Sequence, residues 1–391
     1  MNIFPKIERV AKNVTFVQLP LMFSYKLFSL YFPLYLLEKN FSIAQVGYTS
    51  FLIYLPIALF SPIAGYLNHK INPAILASLG VLGYGLYSLG MIFFPNLFIF
   101  YLLQVILGIS AALFFVSSRA IMMGSNLKNP DKAFAFFYSI PSYADAFAPA
   151  VGALLIWKFG FVGVFAASVI FQIITSIYCF FTLRKDADKL TDNIKMTESV
   201  KNYSEIFQTI KTKGSFLLIF TSFLVLIIAG FNNTFFVLFL NNLHWSQNQI
   251  LIFNSLLSLA YLPLSYLVVK MIEKKSVTNI SYGSQIVGVL TFILGAFINF
   301  LNFYLIFAIM LGKNIGSLIT NSGRSGLLSS KLKKYPEESA AVDTIFSPLS
   351  TAFGALIGGL IIDPLGYPLI FALSGVLIFT CGLFSKKSTV V

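Results

Sequence analysis

Long apolar runs of about twenty residues alternate with short polar turns along almost the whole chain. A helix rises about 1.5 Å per residue, so some 20 apolar residues cross the ~30 Å hydrocarbon layer of a bilayer. Twelve stretches reach that length, at about 14–37, 43–67, 73–94, 97–121, 132–157, 161–182, 215–240, 247–270, 278–299, 302–326, 337–361 and 366–385. In lipid each backbone N–H and C=O must be paired within its own segment, so the runs are read as helices. One connection departs from the short-turn pattern. Leu183 to Gly214 is charged and polar, and its latter part has the pattern of an amphipathic helix lying on a membrane surface. The expected organisation is a six-helix bundle over 1–182, a linker over 183–214 and a second six-helix bundle over 215–391.

The two halves carry traces of one ancestor. A shift of 206 residues, without a gap, brings Pro130 onto Pro336, Ala135 onto Ala341, Ala146 onto Ala352 and Phe147 onto Phe353. It also brings Gly152 onto Gly358, Leu154 onto Leu360, Ile156 onto Ile362, Gly160 onto Gly366 and Phe165 onto Phe371. Tyr54-Leu55-Pro56 recurs as Tyr261-Leu262-Pro263, Leu107-Gly108 as Leu311-Gly312, and Arg119 is answered by Arg324. Parallel six-helix halves are an architecture of secondary transporters.

Composition agrees with a lipid solvent. The chain is 57% hydrophobic and only 10% charged, with mean hydropathy +0.83, against about 25% charged residues in a soluble domain. The net charge of +13 does not point to nucleic acid, because the basic residues sit between apolar runs. Lys6, Arg9, Lys12, Lys70, Lys128, Lys132, Lys270, Lys274, Lys275, Lys331, Lys333, Lys334, Lys386 and Lys387 fall on one side of the twelve spans, with seven more in the linker; Lys39 and Lys158 fall on the other. This bias predicts cytoplasmic termini and a cytoplasmic linker in a plasma-membrane protein. No cleaved signal peptide is read. Cys179 and Cys381 lie in late apolar runs and read as buried small side chains.

Worn motifs then resemble those of the major facilitator superfamily. Its G-x-L-A-D-R-x-G-R-K loop between spans 2 and 3 has a counterpart in Gly65-Tyr66-Leu67-Asn68-His69-Lys70, with Asn68 in place of the acid. Gln104 to Gly108 resembles its R-x-x-Q-G motif without the Arg. Ala144, Ala148, Pro149, Gly152 and Ala153 in span 5 are similar to G-x-x-x-G-P-x-x-G-G, the motif of exporters that exchange drugs for protons. The resemblance implies an all-α fold of two pseudo-symmetric six-helix bundles, with spans 1, 4, 7 and 10 lining a central cavity and span 5 beside span 1. Physically, small residues let helices approach closely, and Pro149 bends its helix.

Charges inside the membrane are the candidate chemistry, since each costs roughly 2.5–3.5 kcal/mol on insertion scales and must face a partner or water. Lys26, Asp145 and Lys313 lie near mid-depth of spans 1, 5 and 10. Lys26 and Asp145 are expected at similar depth on neighbouring helices, either as a fixed packing pair or as a proton-coupling pair that separates as the halves move. Lys313 is read as a snorkelling amine, an alternative partner for Asp145, or an attraction for an anionic substrate. Arg119, Arg324 and Asp343 are expected near the cytoplasmic ends, with Asp343 meeting Arg324 or the His69/Lys70 loop to close an inner gate that includes Gly65, Asn68, His69 and Lys70. His69 itself is expected to be solvated in that loop. Tyr25, Tyr31, Asn232, Asn233 and Asn314 are candidate substrate contacts with Lys26 and Lys313.

No P-loop, H-E-x-x-H or Cys/His metal cluster is present in the sequence, and no His sits at membrane depth to complete a hydrolytic set. No cofactor, resident metal or enzymatic activity is expected. The reading is a monomeric secondary active transporter in a lipid bilayer that moves a small-molecule substrate by alternating access, with proton-coupled efflux of amphipathic compounds first. Uptake or exchange of a small organic anion is second, and a non-transporting membrane sensor is the alternative from another class.

Overall fold

The computed structural model describes residues 7–29, 31–40, 43–93, 96–187, 194–212 and 215–387. Among them there are helices and turns but no strand. The N-terminal half consists of α1 (Arg9–Ser29), α2 (Phe32–Glu38), α3 (Ile43–Lys70), α4 (Pro73–Phe93), α5 (Leu97–Gly124) and α6 (Pro130–Ala187). α7 (Met196–Thr212) follows as the connection. The C-terminal half consists of α8 (Phe216–Asn242), α9 (Gln247–Met271), α10 (Ser276–Ala296), α11 (Phe303–Lys331) and α12 (Pro336–Lys387).

These elements carry the twelve spans with two local departures from the sequence pattern. The first span is split into α1 and α2. Spans 5 and 6 run together as α6, and spans 11 and 12 as α12, because single glycines reverse the chain without a polar loop. Gly160 and Gly366 have φ of 66° and 69°, a left-handed backbone that glycine alone adopts freely. They are also repeat partners, so the 206-residue relation extends to backbone conformation.

Local chemistry fixes the other ends. Pro73, Pro130 and Pro336 each open a helix, where the missing N–H costs nothing. Asn96 and Asn302, again repeat partners, cap α5 and α11 by accepting from Ile99 N and Leu305 N at 2.9 and 3.0 Å. Ser246 and Gln249 cap α9 reciprocally.

Within the N-terminal half α1 packs on α6, α3 and α4 on α5, and α4 on α6; in the other half α10 packs on α11 and α12, and α8 on α12. The halves meet through α3 on α12 and, symmetrically, α9 on α6, with α11 also on α6 and α5 on α12. One apolar core surrounds Phe28, Phe114 and Phe165 and continues into Leu328, Ala340 and Ala341 of the other half. A second surrounds Phe231, Phe239, Phe253 and Phe371. Large apolar side chains such as Leu59, Ile174, Phe181, Leu360 and Leu373 remain exposed, which lipid accepts and water penalises.

Candidate functional site

The first charged site lies where α1 meets α6. Lys26 is in the last turn of α1, and its Nζ stands 2.8 Å from Asp145 Oδ1 on α6. The pair is not sealed in the core: the side chains are 26% and 33% exposed. Neighbouring residues of the small-residue motif hold the two helices in register. Ala148 is buried, Pro149 O accepts from Tyr31 OH at 3.2 Å, and Gly152 faces the Leu27 carbonyl so closely that a Cβ there would collide with it. Leu27 follows Lys26, and Gly152 lies two turns beyond Asp145, so the backbone approach sets the charge contact. Tyr25 packs edge-on to Phe28 and Tyr84, with ring centroids 5.3 and 5.7 Å apart.

The other sequence candidates do not join this pair. Lys313 is buried inside the C-terminal half, its Nζ 5.2 Å from the Phe371 ring centre and without a hydrogen-bond partner. Asn232 is buried on α8, with its side-chain oxygen unpaired. Asn314 is half-buried on α11. The Asn233 side chain lies outside the described residues.

A second charged cluster joins the halves at the end of the bundle that carries α7. Asp343, on α12, is fully buried and serves as its hub. Arg324 Nε donates to Asp343 Oδ1 at 2.9 Å, Ser325 Oγ and Tyr138 OH donate to Oδ2 at 2.7 and 3.0 Å, and Arg119 Nε lies 3.5 Å away. Arg119 Nη1 donates to Thr344 Oγ1 at 2.5 Å, and its guanidinium sits among the rings of Phe115, Phe137 and Tyr138. Arg324, Ser325, Asp343 and Thr344 belong to one half, Arg119 and Tyr138 to the other. Arg119 is therefore a buried cross-link between the halves. Tyr138 is the member that sequence reading missed: one phenol among 19 tyrosines carries no charge to single it out.

Two further contacts repeat the link with pseudo-symmetry. His69, expected in a solvated loop, is instead buried at the end of α3, because α12 packs across it; its Nε2 lies 3.1 Å from Glu338 Oε1 and 3.9 Å from Glu337 Oε2. At the repeat-related place Asp131 on α6 accepts from Ser276 Oγ at 2.7 Å and Asn279 Nδ2 at 2.6 Å, at the start of α10. Asn68 turns inward, its Oδ1 accepting from Ser117 Oγ at 2.8 Å, while Lys70 is exposed beside Tyr66. Gly65 faces Glu337, Ala341 and Tyr203. α7 closes over this corner: Ser199 Oγ and Asn202 Nδ2 donate to Glu338 Oε1 at 3.0 and 2.8 Å, and Tyr203 OH donates to Pro62 O at 3.1 Å. Glu205 of α7 is held below the usual carboxylate range by a hydrogen bond from Tyr335 OH.

Comparison with known proteins agrees with this architecture. No curated protein matches the chain. Among solved structures it is similar to the human organic anion transporter MFSD10 (TETRAN), with TM-score 0.72 and 13% identity over 96% of this chain and 99% of that one. The proton:xylose symporter XylE gives TM-score 0.69 and 14% identity over 97% and 95%. A bacterial homologue of the iron transporter ferroportin, in an outward-facing state with soaked iron, gives 0.67 and 15% over 98% and 99%. At these identities the likeness is one of fold. The sequence profile of the Major Facilitator Superfamily matches residues 14–342, and the chain is thus a multi-pass membrane transporter that belongs to the major facilitator superfamily.

Proposed function

We propose that the chain exports amphipathic compounds in exchange for protons, by alternating access across the plasma membrane with both termini and α7 in the cytoplasm. The observation that carries the reading is the Lys26–Asp145 pair, in contact at 2.8 Å yet partly open. Asp145 is the acidic side chain at mid-depth of the expected spans. A proton on its carboxylate removes the attraction that holds Lys26, so loading and unloading that proton changes how α1 and α6 sit against the rest. The contacts of Asp343 with Arg119 and of His69 with Glu338 form the cytoplasmic gate in this reading, and Gly65, Asn68 and Lys70 flank it. In this reading the gate is shut in the arrangement described here. Tyr25, Tyr31 and the aromatic neighbours of Lys26 supply an apolar wall against which an amphipathic solute packs. The linker anchors α7 at the shut end, in keeping with its seven basic residues.

Uptake or exchange of a small organic anion is the second reading. What favours it is that protonation of Asp145 leaves Lys26 as an unpaired cation facing partly open space. Lys313 is buried inside the C-terminal half, so Lys26 is the cation this reading relies on.

The test is net movement of solute. Purified protein in sealed vesicles, with an amphipathic fluorescent dye as probe and an imposed pH gradient, should accumulate the dye on the acidic side. A non-transporting sensor binds the dye without accumulation. Accumulation of an organic anion instead of the dye would select the second reading.

A further inference from the structure

We propose that His69, Glu337 and Glu338 form a binding site for a divalent transition metal of the Zn2+ type, which bolts the two halves together at the α7 end. Nothing in the transport reading calls on such an ion, and the sequence does not advertise it, because the imidazole and the carboxylates are 269 residues apart in the chain.

The donor set and its geometry fit. One ligand atom from each residue lies within 4.8 Å of the other two. A tetrahedral ion with bonds of about 2.0–2.1 Å needs neighbouring ligand atoms about 3.3 Å apart. His69 Nε2 is 3.9 Å from Glu337 Oε2, and the Glu338 carboxylate approaches it to 3.1 Å at Oε1, so small side-chain rotations that turn Oε2 toward the imidazole bring three corners of the tetrahedron together. Imidazole nitrogen with carboxylate oxygen suits Zn2+ and its neighbours better than Mg2+ or Ca2+, which prefer all-oxygen shells.

The second observation is an orphaned atom. Glu338 is fully buried, yet its Oε2 has no hydrogen-bond partner. A buried carboxylate oxygen without a donor is costly, and a cation is what satisfies it. The other oxygen is held as an outer shell would hold it: Ser199 and Asn202, both on α7, donate to Oε1. A route in is also present. A cavity of about 450 Å³ reaches His69 and Glu337 between α7 and the start of α12, with Glu198 and Glu205 on its wall.

The ligands come from both halves, His69 at the end of α3 and the two glutamates at the start of α12. The ion binds this arrangement and not one in which the halves have parted, so it stabilises the closed end by mass action. At an ion concentration 100 times its dissociation constant, the closed form gains about 100-fold over the open form. On binding, the ion takes the place of any proton on His69 Nε2, and that proton leaves to solvent.

The test uses the full-length protein in lipid nanodiscs, after chelator treatment, with Co2+ as a spectroscopic probe and Zn2+ as competitor. The expected result is one equivalent of Co2+ with the visible absorption of a low-coordinate N/O site, displaced by Zn2+. His69→Ala and Glu338→Gln should abolish that spectrum, and Asn202→Ala should weaken Zn2+ binding by about 10–100-fold through the outer shell. Spin labels at Asn126→Cys and Lys333→Cys, in a Cys381→Ser background, should report a narrowed short distance with Zn2+ in the parent and no response in Glu338→Gln. Absence of Co2+ binding in the parent, an unaltered spectrum in both ligand variants, or a Zn2+ response that survives Glu338→Gln would each overturn the proposal. These readouts are independent of transport, so their failure would leave the exchange reading standing.

Discussion

Replacing Arg119 by Gln isolates the link between the halves. Arg119 belongs to the N-terminal half and is cradled there by Phe115, Phe137 and Tyr138, with ring centres 5.5–5.7 Å away. Its polar contacts, the Asp343 carboxylate and the Thr344 hydroxyl, both lie in the other half. Arg324, by contrast, pairs with Asp343 from within the same half and keeps that partner however the halves move. A hydrogen bond to a charged group contributes about 1.5–3 kcal/mol net. The bond to Thr344 is one such, while Arg119 Nε at 3.5 Å from Asp343 is an ion pair without a hydrogen bond, so losing both contacts costs the closed form about 1.5–3 kcal/mol. At about 1.4 kcal/mol per factor of ten, the closed-to-open ratio should fall about 10- to 100-fold. Spin labels at Asn126→Cys and Lys333→Cys should show a longer distance populated in Arg119→Gln, with little change in melting temperature. Arg324→Gln should do the reverse: it takes from the buried Asp343 its nearest cation, supplied from its own half, so thermal stability falls first. An unchanged distance distribution in Arg119→Gln would refute the assignment of this contact as one of the links that hold the ends together.

Other outcomes follow from the same geometry. Gly152→Val should separate α1 from α6, since even a Cβ meets the Leu27 carbonyl; an overpacking cost of about 1–3 kcal/mol or more should appear as a lower melting temperature, and a stable variant would contradict the close approach. Lys313→Met should raise the melting temperature, because it replaces a buried amine lacking a hydrogen-bond partner by an apolar side chain of similar shape; a drop would show that the amine has a role the packing does not reveal. Asp131→Ala should weaken the link from α6 to α10, through the lost bonds from Ser276 and Asn279, and raise the population of the parted form in the same distance measurement; no shift would limit Asp131 to a local cap.

The spans were legible in the sequence because lipid imposes one rule on every residue between two turns: apolar side chains on a self-paired backbone. The Lys26–Asp145 contact was legible for a related reason. Charges at mid-depth are expensive, so two of opposite sign on neighbouring helices are drawn to each other. Lys313 was legible as a mid-depth charge but its surroundings were not: it lies against the Phe371 ring inside one half, which the residue type does not announce. His69 misled because the loop pattern around it reads as solvent-exposed, whereas α12 and α7, far along the chain, pack over it. Nothing in the sequence singles out Glu337 and Glu338, because they open α12, a place where carboxylates are common without further purpose. The Gly160 and Gly366 reversals were visible only as matched letters; their left-handed backbone became apparent once the structure removed the expected loops.

The central claim is that Asp145 couples a proton to solute movement, and two assays on one variant test it most directly. Asp145→Asn protein in sealed vesicles should still exchange labelled dye for unlabelled dye, since that needs only the halves to rock around bound solute. The same vesicles should fail to accumulate dye when a pH gradient is imposed. Accumulation at the level of the unmodified protein would contradict the account and leave Lys26–Asp145 as a packing contact.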